Sequence, residues 1–281
     1  MKKLLALLFA LTMVLALAAC GGAAETEEPA EAEETTENTG DMVTLRVGAS
    51  PTPHAEILAQ VVDDLAEQGI DLQIVEYTDY VVPNTAVEDG EDDANYFQHT
   101  PYMENFNAER GTHLVAVGDI HYEPMGIYAG QTTSIEELPD GATIAVPNDA
   151  TNEGRALLLL QAQGLITIDE AAGLECTPND ITDNPKNLVF KELEAAMLPQ
   201  TIDEVDLSVI NSNYALQAGF NPVEDSLAME TADSTPYPNV IAVKEGNENN
   251  EAIQALVKAL QSDKVRDYIE ETYGGAVVAL F

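Results

Sequence analysis

Apolar and polar residues alternate in short runs along most of the chain, and the period of that alternation separates strands from helices. "TLRVGAS" (44–50) and "IDLQIVEYT" (70–78) alternate with period two and predict strands. Between them the apolar spacing is that of a helix from Pro53 to about Gln68, stopped at Gly69. A short helix is predicted over 82–89, ending at Gly90. It is followed by a strand "DANYFQH" and a helix "TPYMENFNAER" with Pro101 in its first turn. The stretch 112–130 is rich in β-formers, and 142–148, 187–193, 205–211 and 239–245 read as further strands. Helices are predicted over 152–163 and from about Asn250 to Tyr273, the latter closed by Gly274-Gly275.

This order predicts an α/β fold with mostly parallel sheets and helices on both faces. Ligands in such folds sit in loops at the carboxyl ends of strands. The polar loops here follow strands: Ser50-Pro51, Asp79-Tyr80, His99-Thr100, Pro147-Asn148 and Asn211-Ser212. A two-lobed body with a cleft accommodates all of them.

The first 42 residues follow a different pattern. Lys2 and Lys3 precede an apolar run from Leu4 to Ala19 that only Thr12 interrupts. The run falls short of the roughly 20 residues a spanning helix needs, and residues 1–19 read as a secretory signal. Leu17-Ala18-Ala19-Cys20-Gly21 resembles the bacterial lipobox, which implies that Cys20 is lipidated and begins the mature chain. Residues 20–42 then form an acidic tether, whose eight acids and absent bases favour extension over packing. The expectation is an exported protein, lipid-anchored to the membrane and facing outward.

Charge narrows the possible partners. The chain has 50 acids against 11 Lys and Arg, two of them in the signal. Nucleic acid and anionic surfaces are poor partners for such a chain. Beyond Cys20 the chain has only Cys176, so no intrachain disulfide is expected, and Cys176 reads as a small buried residue. The nucleotide, hydrolase, metalloprotease and dithiol motifs are absent. The histidines are His54, His99, His113 and His121. Only His113 and His121, eight apart on one β-rich stretch, suggest a shared face, and no metal or cofactor is expected.

Two features carry candidate chemistry. In "VPNDATNEGRALLLLQ" a strand ends and a helix begins, with Asn152 as the expected N-cap and Arg155 at N3. A cation in the first turn opposes the helix dipole, which points to an anion that Arg155 neutralises. A ligand carboxylate or phosphate fits, and so does a structural Asp or Glu. In "DANYFQHTPYMENF", four of the 16 aromatic residues fall within eleven positions. Period two sets Phe97 and His99 on one face and Tyr96 and Gln98 on the other, and Tyr102 can bend back toward the first. The cluster is either core or a pocket wall.

"GASPTPHAEIL", "YTDYVVPNTAVEDGEDDANYFQHTPYM", "IAVPNDATNEGRALLLLQ", "ITDNPKNLVFKELEAAMLPQTIDEVDLSVINSNYALQAGF" and "NVIAVKEGNENNEAIQALVKALQSDKVRDYI" resemble the methionine-binding lipoproteins, the MetQ/NlpA family. The resemblance covers nearly everything from Thr44 onward. It implies a two-lobed periplasmic-binding-protein fold, with lobe I from 43–122 plus 241–281 and lobe II from 123–240. It also implies a non-enzymatic role: binding L-methionine and delivering it to the permease and ATPase of an ABC importer. By that resemblance Arg155 pairs with the ligand carboxylate, and Asn211 and Asn239 bond its carboxylate and ammonium groups. Tyr80, Phe97 and Tyr102 enclose the thioether, and His99 meets its end or orients a neighbour. Tyr96, Met103 and Phe106 have no such match and read as core. Alternatives are D-methionine, a methionine-containing dipeptide or another apolar amino acid as ligand. More distant readings are a surface metal-dependent hydrolase built around His99 and an adhesion module.

Overall fold

Each of the two main sheets is covered by helices on both faces, and the chain passes between them twice. The structure is a computed structural model that describes residues 42–231 and 237–281. The expected signal, Cys20 and nearly all of the tether lie outside the described residues.

The chain begins with β1 (Val43–Ala49), a π-type turn (Pro51–Ala55), and the short helices α1 (Glu56–Ala59) and α2 (Val62–Ala66). It continues through β2 (Ile70–Glu76), α3 (Val82–Asp89), β3 (Ala94–His99), α4 (Thr100–Arg110) and β4 (Leu114–Tyr122). It then crosses to β5 (Gly126–Ala129), β6 (Thr143–Pro147), α5 (Ala150–Ala162), and a small pair, β7 (Thr167–Ile168) and β8 (Ile181–Asp183). β9 (Val189–Leu193), β10 (Leu207–Ile210), α6 (Ser212–Gln217), α7 (Pro222–Asp225) and β11 (Ser226–Met229) follow. The return passes through β12 (Asn239–Lys244), α8 (Glu251–Leu260), α9 (Asp263–Tyr273) and β13 (Val278–Ala279).

One sheet has the order β13-β4-β12-β3-β1-β2 and the other β11-β5-β10-β6-β9. The fold is therefore the two-lobed α/β architecture implied by the resemblance. The sheets are mixed rather than mostly parallel. β12 comes back from the second sheet and runs antiparallel to both β3 and β4, while β5 runs antiparallel to β10 and β11. On one face of the six-stranded sheet, Leu45, Val47, Tyr96, Ile241 and Val243 pack against α1, α2, α8 and α9. The other face carries Val240 and Ala242 against Val87 and Met103 of α3 and α4. The five-stranded sheet is likewise buried on both sides, beneath α5 and beneath Leu198, Tyr214 and Ala215.

Three local readings change. The helix expected over 53–68 is broken into a turn and two short helices, and the one expected over 250–273 breaks at Gln261-Ser262. α5 is capped by Asp149, whose carboxylate accepts from Asn152 N at 3.1 Å, so Arg155 sits in the second turn rather than at N3. β3 is bulged: Gln98 pairs with Val240 and Tyr96 with Ile241, leaving Phe97 as the extra residue. The bulge sets Gln98 on the side of Asn95, to whose Oδ1 its Nε2 donates at 2.9 Å, while Tyr96 faces His54 and His121. The expected alternation of Tyr96 and Gln98 on one face therefore fails.

Candidate ligand-binding site

All seven residues singled out by the resemblance (Tyr80, Phe97, His99, Tyr102, Arg155, Asn211 and Asn239) line one cavity. The cavity lies among loops and strand ends that belong to both sheets. Tyr80 follows β2, Phe97 and His99 come from β3, Tyr102 from α4 and Asn239 from the start of β12. Arg155 comes from α5 and Asn211 caps α6. Gln98, Glu123, Asn152, Ser212 and Asn213 complete the wall.

The aromatic part is a packed group. The Tyr80 ring lies 5.7 Å from Phe97 and from Tyr102 and 4.9 Å from Tyr214, and Phe106 backs Tyr102 at 6.1 Å. Phe97, Tyr102 and Phe106 are all buried, while Tyr96 and Met103 belong to the sheet cores. Rings at these separations form a rigid, polarizable wall.

The polar part is more specific, because its free valences can be counted. His99 Nδ1 accepts from Tyr102 N at 3.1 Å, capping α4, and His99 Nε2 lies 3.3 Å from Asn152 Oδ1. Both ring nitrogens are thus engaged, and burial together with the Arg155 charge lowers the imidazole pKa to about 3. His99 orients its neighbours and stays neutral. Asn152 Oδ1 also accepts from Asn211 Nδ2 at 2.9 Å, which leaves Asn211 Oδ1 as a buried acceptor with no partner among the described residues. Asn213 is the converse: its Oδ1 accepts from Tyr80 Oη at 2.6 Å and its Nδ2 donors are unpartnered. Asn239 Oδ1 lies 3.0 Å from His54 Nε2, so the amide has its Nδ2 donors to offer.

Below Asn239 lies a buried network that sequence reasoning missed. Glu123 Oε1 lies 2.7 Å from His121 Nε2 and 3.2 Å from His54 Nε2, and Tyr96 Oη bonds His121 Nδ1. Burial holds the His54 and His121 pKa values down, to about 4 and about 3. Burial raises that of Glu123, against the pull of His54 and Arg155. These two histidines and Glu123 are close enough to hold a metal ion, but their short mutual hydrogen bonds already use the same atoms. The pairing of His113 with His121 fails: His113 is exposed and bonds Glu88 at 3.2 Å.

Arg155 is buried, with its guanidinium 4.6 Å from the centre of the Tyr237 ring. Its Nη2 donates to Glu123 O at 2.6 Å and to Glu230 Oε2 at 2.7 Å, and its Nε to Glu230 Oε1 at 2.8 Å. Burial opposes the charge, but the Glu230 carboxylate overrides it and holds the guanidinium pKa above its ordinary value. Arg155 therefore has a protein carboxylate as partner and also lines the cavity.

Unpartnered donors, unpartnered acceptors and an aromatic box around one buried space define a small-molecule-binding protein of the two-lobed type. The chain belongs to the NlpA lipoprotein family, whose model matches residues 45–281. It is 44% identical over 236 residues to the membrane lipoprotein TpN32 of Treponema pallidum, covering 84% of this chain and 88% of that one. A nutrient-binding protein from Burkholderia cenocepacia, solved bound to methionine, is 41% identical. It superposes with a TM-score of 0.80 over 84% of this chain and all of the other. A periplasmic substrate-binding protein of an ABC transporter from Coxiella burnetii is 38% identical, also with a TM-score of 0.80, over 84% of this chain and all of the other.

Proposed function

We propose that the protein captures L-methionine between its lobes and hands it to a membrane permease driven by a cytoplasmic ATPase. The observation that carries this reading is the sharing of one buried cavity by Arg155 and the Tyr80–Phe97–Tyr102 box. A free amino acid needs both ends served. The ligand carboxylate meets Arg155 and the amide donors of Asn213 and Asn239, and its ammonium meets Asn211 Oδ1 and Glu123. The thioether lies against the rings, where each sulfur–aromatic contact contributes about 0.3–1.5 kcal/mol. The methionine held by the Burkholderia relative and the transport role of the Coxiella relative support the same reading.

In this reading lobe I is 43–122 plus 241–281 and lobe II is 123–240. They close about the two crossovers, and the permease distinguishes closed from open. Cys20 carries the lipid, and the acidic tether holds the body on the outward side of the membrane. No bond is made or broken in the ligand.

Mass spectrometry of small molecules released from the purified protein, followed by calorimetry with L-methionine, D-methionine and a methionine dipeptide, tests this. Methionine is expected among the released molecules, with L-methionine tightest. Tighter binding of the D-isomer or the dipeptide would reassign the ligand. Failure to bind any of the three would sink the reading.

A further inference from the structure

Glu230 does not line the cavity, yet it controls the residue that does. It stands where the chain leaves β11 to return to the six-stranded sheet. Its Oε2 accepts from Tyr122 Oη at 3.0 Å, Met125 N at 2.7 Å, and Arg155 Nη2 and Nε at 2.7 and 3.0 Å. Tyr122 ends β4 and Met125 precedes β5, so one carboxylate ties the outgoing crossover, the returning crossover and α5 together. The Arg155 and Glu230 side chains are 5% and 8% exposed. Arg155 Nε and Nη2 are fully committed, whereas Nη1 makes no hydrogen bond among the described residues.

We propose that Glu230 is a positioning and specificity-determining residue for ligand capture. It locks the guanidinium so that Nη1 is the edge left for the ligand, and it cancels the guanidinium charge so that the site selects a dipolar amino acid over a simple carboxylate anion. This deepens the methionine reading and rests on it. An unaccompanied buried arginine attracts any monoanion. With Glu230 in contact the pair is neutral, and an anion lacking an ammonium group brings an uncompensated charge into a buried space that also holds Glu123. An amino acid carries its own counter-charge. Donors from two separate segments, the outgoing crossover and α5, hold Glu230, so it acts as a fixed clamp and does not swing aside as a gate.

The test is calorimetry on the wild-type chain, Glu230→Gln, Glu230→Asp and Arg155→Ala. The ligands are L-methionine and its des-amino analogue, which keeps the thioether and carboxylate but lacks the ammonium. Glu230→Gln is expected to weaken methionine by about tenfold while leaving the analogue unchanged or tighter, so the preference for methionine shrinks by about that factor. Glu230→Asp keeps the charge but shortens the reach, and is expected to weaken both ligands with the preference retained. If Glu230→Gln does not fold, a collapsed preference in Glu230→Asp overturns the proposal. Equal losses for both ligands in Glu230→Gln, or none, overturn it as well. Should Arg155→Ala bind methionine like the wild type, the carboxylate assignment beneath the proposal falls. If Arg155→Ala loses binding while Glu230→Gln keeps the wild-type preference, the role of Glu230 alone falls.

Discussion

Tyr80 donates its phenolic hydrogen to Asn213 Oδ1 at 2.6 Å, a bond between the loop after β2 and the first turn of α6. The two residues are attached to different sheets, so this bond spans the cleft. Tyr214 Oη adds a second bridge to Thr78 O at 3.2 Å, and the Tyr80 and Tyr214 rings lie against each other. Tyr80→Phe keeps the ring contacts and removes one hydrogen bond, which contributes roughly 0.5–1.5 kcal/mol. The expected result is methionine release faster by about two- to tenfold, with capture nearly unchanged, read by stopped-flow fluorescence or competition. An unaltered release rate would show that this bond does not hold the cleft closed.

Arg155 and Glu230 form a buried ion pair, and such pairs are costly to halve. Arg155→Ala is expected to abolish methionine binding and also to lower stability by about 3–5 kcal/mol, because the Glu230 carboxylate remains buried. Replacing both residues with methionine should recover most of that stability without restoring binding. Urea denaturation of the wild type and the two variants checks this. A double variant as unstable as the single one would assign the loss to packing around Tyr237.

Three buried histidines set a pH dependence. His54, His99 and His121 have folded pKa values of about 4, 3 and 3 against an ordinary 6.5, chiefly through burial. Between these limits the unfolded chain binds more protons than the folded one. Their contribution is therefore complete above about pH 6.5 and is lost as pH falls toward the folded values, by about 1.4 kcal/mol per pH unit for each group. Proton uptake by Glu123, whose pKa burial raises, offsets part of this. The urea midpoint is expected to drop from about pH 7 to about pH 5, and His121→Asn should flatten the slope by up to one proton. An identical slope in that variant would remove His121 from the account.

The aromatic box predicts a preference for sulfur. Norleucine matches methionine in shape but replaces the polarizable sulfur with a methylene. The wild type is expected to favour methionine by roughly two- to tenfold, from about 0.3–1.5 kcal/mol per sulfur–aromatic contact. Phe97→Leu should weaken both ligands and narrow the gap between them. A gap of the same size in the variant would locate the sulfur contact at Tyr80 or Tyr102 instead.

What the sequence revealed and what it hid have physical causes. β1, β2, β6, β10 and β12 were legible because the period of burial is a local property of the chain. Strand direction is not local, and nothing in "NVIAVKE" announces that β12 enters antiparallel between β3 and β4. The cap of α5 is ambiguous in the sequence because Asp149, Thr151 and Asn152 are all capping residue types, and the side chain of Asp149 is the one that accepts from Asn152 N. The seven candidate site residues came from family resemblance, and they do share a cavity. Their chemistry alone left the partner of Arg155 open. Glu230, 75 positions away at the end of an irregular strand, has no periodic signature, and Glu123 and Asn213 become informative only through buried bonds that folding creates.

The extra residue in β3 gives that strand a reading frame. Just before Phe97, Tyr96 faces the core against His54 and His121, and just after it Gln98 turns to the side of Asn95 and lines the cavity together with His99. Because Tyr96 and Gln98 pair with the consecutive residues Ile241 and Val240, deleting Phe97 would leave every later pair in register and remove only the ring that the bulge adds to the cavity. The bulge thus adds a cavity residue to β3 without disturbing the pairing of the strand on either side of it.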